Sequence, residues 1–118
     1  KFPMVAELNQ VLQLEPSAVK NRLDEAGNDS VIIDVREEAE FTGEFGHIAG
    51  SRLIPMRKIP DVIEELDPLK EKEIILVCRS GARSTTSAAI LKGLGFKNVN
   101  NLKGGMLQWT KLGYPVER

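Results

Sequence analysis

One cysteine, one histidine, one tryptophan and one tyrosine are spread over 118 residues. A lone cysteine, Cys78, excludes an internal disulfide, a neighbouring resolving thiol and a cysteine-rich zinc site. It also makes a reducing compartment, the cytoplasm, the expected setting. A lone histidine, His47, leaves little for metal ligation or for a dedicated catalytic base. Neither sign of charge dominates: Lys and Arg number 16 against 17 Asp and Glu, a net charge of −1. That balance points away from nucleic acid and from an anionic membrane as the main partner. No apolar run approaches the roughly 20 residues that span a bilayer, and no signal-peptide pattern opens the chain at Lys1. Repeats, low-complexity tracts and linkers are missing as well.

What is present suits one domain with one core. Hydrophobic residues make up 42% and charged residues 28%, ordinary values for a globular fold. Val31–Val35 and Ile74–Val77 are near-continuous apolar runs; runs without alternation fit strands covered on both faces, as in a parallel sheet. Pro16 suits a first helical position, with Val19, Leu23 and Ala26 as its apolar stripe and Gly27-Asn28 as its stop. Met4, Val5, Leu8, Val11 and Leu12 have helical spacing, while Leu12–Leu14 reads equally well as a short edge strand. Residues 37–41 predict a short helix, a Gly-rich bend follows, and Leu53-Ile54 predicts a short strand. Ile59, Val62, Ile63 and Leu66 are spaced for an amphipathic helix, with Pro60 early in it and Pro68 beyond its end. A helix over 84–94 ended by Gly95, a strand over 98–100 and a closing helix over 106–112 complete an alternating α/β pattern.

Cys78 sits where such a pattern puts chemistry. It follows the strand Ile74–Val77 and precedes Arg79-Ser80-Gly81-Ala82-Arg83-Ser84 and a small-residue helix. In open α/β sheets, sites lie beyond the carboxyl ends of the strands. Small residues at Ser80, Gly81 and Ala82 let the backbone curl so that successive N–H groups face inward as an anion nest. The next helix adds unpaired N–H groups and its positive end. With Arg79 and Arg83 alongside, this environment favours a thiolate over a thiol and holds an anion beside it. Two arginines in a glycine-containing turn are poor core packing and good anion binding, which separates Cys78 from an inert buried cysteine.

These residues resemble the rhodanese family. Cys78-Arg79-Ser80-Gly81-Ala82-Arg83-Ser84 is similar to the active-site loop of its single-domain members. Ile33-Asp34-Val35-Arg36-Glu37 and Gly46-His47-Ile48-Ala49-Gly50-Ser51 resemble its first two blocks, and Leu102–Met106 with Trp109, Gly113, Tyr114 and Pro115 its carboxyl-terminal signature. The resemblance runs from about residue 14 to 116, giving a 1–13 extension and a 14–118 domain. It implies a rhodanese-like α/β fold, a five-stranded parallel sheet with helices on both faces. It also implies sulfurtransferase chemistry: Cys78 as catalytic nucleophile, and Arg79, Ser80, Gly81, Ala82, Arg83 and Ser84 as the substrate-binding loop. A sulfane sulfur would pass from thiosulfate or a persulfide donor through a Cys78 persulfide to cyanide, a thiol or a protein acceptor, with no metal or organic cofactor.

Other residues are expected to be structural. His47 should fix a loop through hydrogen bonds, Asp34 should bond local backbone N–H groups, and Trp109 should pack in the core. Arg36 with Glu37, Glu38 and Glu40 reads as a surface ion-pair cluster, and Gly104-Gly105 as a turn and helix start. Two rival functions share this pattern. A phosphatase or arsenate reductase would use a similar loop with five residues between cysteine and arginine. Only four separate Cys78 from Arg83, a tighter cradle suited to a persulfide. A sulfur-carrier or protein-binding module would keep the fold without turnover.

Overall fold

The computed structural model describes residues 11–118. Its core is a sheet of five parallel strands in the order β1-β5-β4-β2-β3. The strands are β1 (Leu12–Leu14), β2 (Val31–Asp34), β3 (Arg52–Leu53), β4 (Glu73–Val77) and β5 (Asn98–Leu102). The helices are α1 (Pro16–Asp24), α2 (Glu38–Phe41), α3 (Ile59–Val62), α4 (Ala82–Gly93) and α5 (Gly105–Lys111). The edge-strand reading of Leu12–Leu14 holds, and the helical alternative falls largely on residues 1–10, outside the described residues.

β4 is the middle strand, and Ile74, Ile75, Leu76 and Val77 are each at most 1% exposed. That is why it reads as an unbroken apolar run: alternate residues feed opposite layers. Ile74, Leu76 and Cys78 join Ala88 and Leu91 of α4 and Ile59, Leu66 and Leu69 on one face. Ile75 and Val77 join Val19 of α1 and Met106 and Trp109 of α5 on the other. Helices therefore cover both faces, as the resemblance implies.

One element differs in kind. The apolar spacing at Ile59, Val62, Ile63 and Leu66 predicts a single helix. The chain instead makes a 3₁₀ turn at Met56–Lys58, one α-turn in α3 and a 3₁₀ run at Ile63–Leu69. The α geometry breaks at Val62, with φ −114° and ψ 8°, and Pro68 inside the 3₁₀ run has no N–H to donate to a regular ladder. The burial pattern survives, with Ile59, Leu66 and Leu69 in the core. Helix α4 begins at Ala82, two residues before the expected Ser84. Among the described residues no helix is long and apolar enough to cross a membrane.

Candidate active site

β4 delivers Cys78 to the carboxyl edge of the sheet, between β2 and β5. Gly81 then takes a left-handed conformation, φ +108°, and serves as the N-cap residue of α4. A side chain there would meet Asn101 Nδ2 at 3.3 Å and Gly104 N at 3.5 Å, so only glycine suits both the torsion and the space. The turn aims the Gly81 N–H at Cys78 Sγ over 3.0 Å. In the first turn of α4, Ser84 brings its N–H to 3.4 Å and its hydroxyl to 3.2 Å of the same sulfur. Two N–H groups thus converge on one sulfur at the positive end of a 12-residue helix, with the Ser84 hydroxyl in reach beside them.

α5 explains why the loop carbonyls do not oppose them. The Met106 N–H donates to the Cys78 carbonyl at 2.9 Å and the Leu107 N–H to the Arg79 carbonyl at 3.0 Å. These are N–H groups at a helix start, which have no partner within the helix. Both carbonyls are turned out of the cradle and satisfied. Close approach requires Gly105, at φ +59°, because a Cβ would lie 2.5 Å from both carbonyl oxygens. Gly104 and Gly105 therefore serve the turn and helix start expected of them.

The expected site residues divide into three groups. Cys78, Gly81 and Ser84 meet at the sulfur. Ser80 and Ala82 are exposed, while Cys78 is 1% exposed. The arginines lie to the side. Arg79 is exposed, with its guanidinium 5.5 Å from the centre of the Phe45 ring. It lines a shallow pocket of about 180 Å³ with Glu40, Glu44 and Phe45. Arg83 grips Glu40 with two parallel bonds of 2.8 Å. That hydrogen bond is the chief cause holding the Glu40 carboxyl down at about 2, well below its ordinary 4.5. The same bond raises Arg83 above its usual value against the opposing effect of burial, and the Glu40 charge adds to it.

Glu40 was expected in a surface cluster with Arg36, not on Arg83, although Glu37-x-x-Glu40 opening a helix is a capping-box signal. The Glu37 N–H donates to Glu40 Oε1 at 3.1 Å, so one carboxylate caps α2 and engages Arg83.

Arg36 overturns its expected place in a surface cluster. It is 1% exposed and pairs with Asp34, which is fully buried. Its Nε donates to Asp34 Oδ1 at 2.9 Å and its Nη2 to Oδ2 at 2.8 Å. Nη2 also donates to the Gly46 carbonyl at 2.6 Å and Nη1 to the Glu40 carbonyl at 3.2 Å. The charge lies inward because four acceptors await it there, a condition that residue type and neighbours in sequence do not reveal. Asp34 does bond a local backbone group, the Arg36 N–H at 3.1 Å.

His47 is structural as expected. Its ring stacks on Phe41 at 3.7 Å, and Nδ1 lies 2.8 Å from the Phe41 carbonyl. Trp109 is buried, donating from Nε1 to the Pro115 carbonyl at 3.0 Å. Among the described residues no group of three or more His, Cys, Asp or Glu gathers as metal ligands.

A doubly covered parallel sheet with a cysteine in an amide-lined loop at its carboxyl edge defines a class: α/β domains with a cysteine set at the start of a helix. The chain belongs to the rhodanese-like family, since the model described as "Rhodanese-like domain" matches residues 15–112. It is 32% identical over 106 residues to a protein of Allochromatium vinosum named "Sulfurtransferase", covering 90% of this chain and 94% of that one. A Bacillus subtilis protein, YtwF, whose name carries a provisional sulfurtransferase assignment, is 38% identical over 100 residues, 85% of this chain and 91% of its own. The crystal structure of a rhodanese-like domain protein from Staphylococcus aureus superposes with a TM-score of 0.77 at 30% identity, covering 92% of this chain and all of that one.

Proposed function

We propose that this chain is a sulfurtransferase in which Cys78 carries a sulfane sulfur between a donor and a thiophilic acceptor. One observation carries the reading: the Gly81 and Ser84 N–H groups converge on Cys78 Sγ, with the Ser84 hydroxyl in reach. Such a cradle stabilises a sulfur anion without a base, and His47 is committed to Phe41. With thiosulfate, the Cys78 thiolate attacks the outer sulfur. A new S–S bond forms, the bond to the sulfonate sulfur breaks, and sulfite leaves with its electron pair. The enzyme then holds a persulfide whose terminal sulfur bears the negative charge. Cyanide attacks that sulfur, thiocyanate departs and the thiolate returns. A thiol acceptor or a persulfide donor fits the same two half-reactions.

Burial of Cys78 suits a donor that presents a single sulfur atom. Arg79 and Arg83 flank the loop with positive charge for the donor's oxyanion, Arg83 through the N–H groups that Glu40 leaves free. Steady-state thiocyanate formation, with thiosulfate and cyanide varied together, tests the reading. Parallel double-reciprocal lines, lost in Cys78→Ser, are expected. Aryl phosphate hydrolysis with no sulfur transfer would reverse the assignment.

A further inference from the structure

We propose that Asn101 is a positioning residue that acts on the Cys78 sulfur through the Ser84 hydroxyl. The inference rests on Cys78 being the working nucleophile.

The Ser84 hydroxyl has one proton and three acceptors within reach. They are Cys78 Sγ at 3.2 Å, the Gly81 carbonyl at 3.3 Å and, nearest of all, Asn101 Oδ1. It can serve only one of them well. While it donates to Asn101, its lone pairs face the sulfur, an arrangement that favours a protonated thiol. When it turns to the sulfur, it becomes the third donor of the cradle and favours the anion. The direction of this one O–H bond therefore decides how strongly the cradle holds negative charge.

The side chain of Asn101 is fixed from behind. Asn101 is 1% exposed and stands beside Gln13 in the β1–β5 register. Its Nδ2 donates to Gln13 Oε1 at 2.7 Å, and Gln13 Nε2 donates to Thr85 Oγ1 at 3.0 Å. The Thr85 hydroxyl donates to the Gly81 carbonyl at 2.7 Å. The network thus starts at Ser84 and ends on the carbonyl of the residue whose N–H binds the sulfur. Each link fixes the polarity of the next, so Gln13 at the sheet edge keeps Asn101 Oδ1, rather than Nδ2, toward Ser84. Reversing both amides would present an N–H to Ser84 and release its proton to the sulfur.

The test is the rate of Cys78 alkylation by iodoacetamide across a pH series, with the ultraviolet absorbance of the thiolate as a second readout. Asn101→Leu removes the competing acceptor and should raise the neutral-pH rate about threefold. Asn101→Asp keeps the shape, cannot offer an N–H and adds a like charge. It should lower the rate about tenfold and move the profile to higher pH. Gln13→Ala, at an exposed position that folding tolerates, should shift the rate in the direction of Asn101→Leu. In a Ser84→Ala background, Asn101→Leu should change nothing. The inference is overturned if the Leu and Asp variants shift the rate in the same direction, if Gln13→Ala and both Asn101 variants stay within twofold of the parent, or if the Leu effect persists without the Ser84 hydroxyl. Alkylation needs no sulfur donor. An absence of persulfide in the parent would defeat the sulfurtransferase reading and leave this result interpretable.

Discussion

Replacing Asp34 by Asn separates a buried ion pair from an exposed one. The change keeps the side chain's shape and removes one charge. In the parent, the Asp34 carboxylate receives the Arg36 Nε and Nη2 groups at 2.9 and 2.8 Å and the Arg36 backbone N–H at 3.1 Å. Both side chains are 1% exposed, so water cannot stand in for the lost partner. Arg36 would keep its charge with only neutral acceptors, the amide oxygen and the carbonyls of Glu40 and Gly46, and the new Nδ2 would face a guanidinium N–H. Breaking one side of a buried pair costs about 3–5 kcal/mol. For a domain near this length each kcal/mol lowers Tm by about 3–5 °C, so the expected fall is about 9–25 °C. Thermal and urea melts followed by circular dichroism would measure it. Sulfur transfer should fall too at temperatures where the variant is folded, because Arg36 ties down the Glu40 main chain and, through it, the Arg83 anchor. Replacing both partners, Asp34→Leu with Arg36→Met, should cost less than the sum of the single changes. A loss under about 1 kcal/mol for Asp34→Asn, the range of an exposed pair, would refute the reasoning.

Three further outcomes follow from the site. Arg83→Ala and Arg79→Ala should each lower kcat/KM for thiosulfate by about tenfold or more, since losing a charge-assisted contact costs about 1.5–3 kcal/mol; values within twofold of the parent for both would remove the arginines from donor binding. Glu40 has a folded-state carboxyl value near 2 against an ordinary 4.5, so its pairing stabilises the fold above 4.5 and that contribution fades as pH falls toward 2. With both side chains about one-third exposed, solvent limits the effect to about 1 kcal/mol, and Glu40→Gln should flatten this acid limb in melts between pH 2 and pH 5. Gly105→Ala would force a Cβ against the Cys78 and Arg79 carbonyls at 2.5 Å; sulfur transfer should drop at least tenfold with a measurable loss of Tm, and an active, stable variant would show that α5 does not set the loop.

Much of the fold was legible because its signals are local. Ile74–Val77 is apolar on both faces for the same reason that it is central, and Gly81 had to be small because the turn needs its torsion. Spacing alone predicts a regular helix around α3, and the break at Val62 leaves no mark in that spacing. β5 was harder. Asn98, Asn100 and Asn101 are poor strand formers, and they are tolerated because Asn100 reaches the Glu73 carboxylate at 3.2 Å while Asn101 reaches Gln13 and Ser84. Those partners stand 17 to 88 residues away, beyond any local pattern. The same distance hid the clasp of Glu40 on Arg83, 43 residues apart. Arg36 was misplaced on the surface because charge in a sequence carries no sign of its burial. The sulfur-binding loop was readable since residues 78–84 are contiguous; what tunes it comes from other strands.

Intact-protein mass after exposure to a panel of sulfane donors, thiosulfate, glutathione persulfide and polysulfide, reaches the central claim most directly. The account predicts a gain of one sulfur atom per chain with at least one donor, reversed by cyanide and missing in Cys78→Ser. No adduct with any donor, or an adduct that survives in Cys78→Ser, would contradict it.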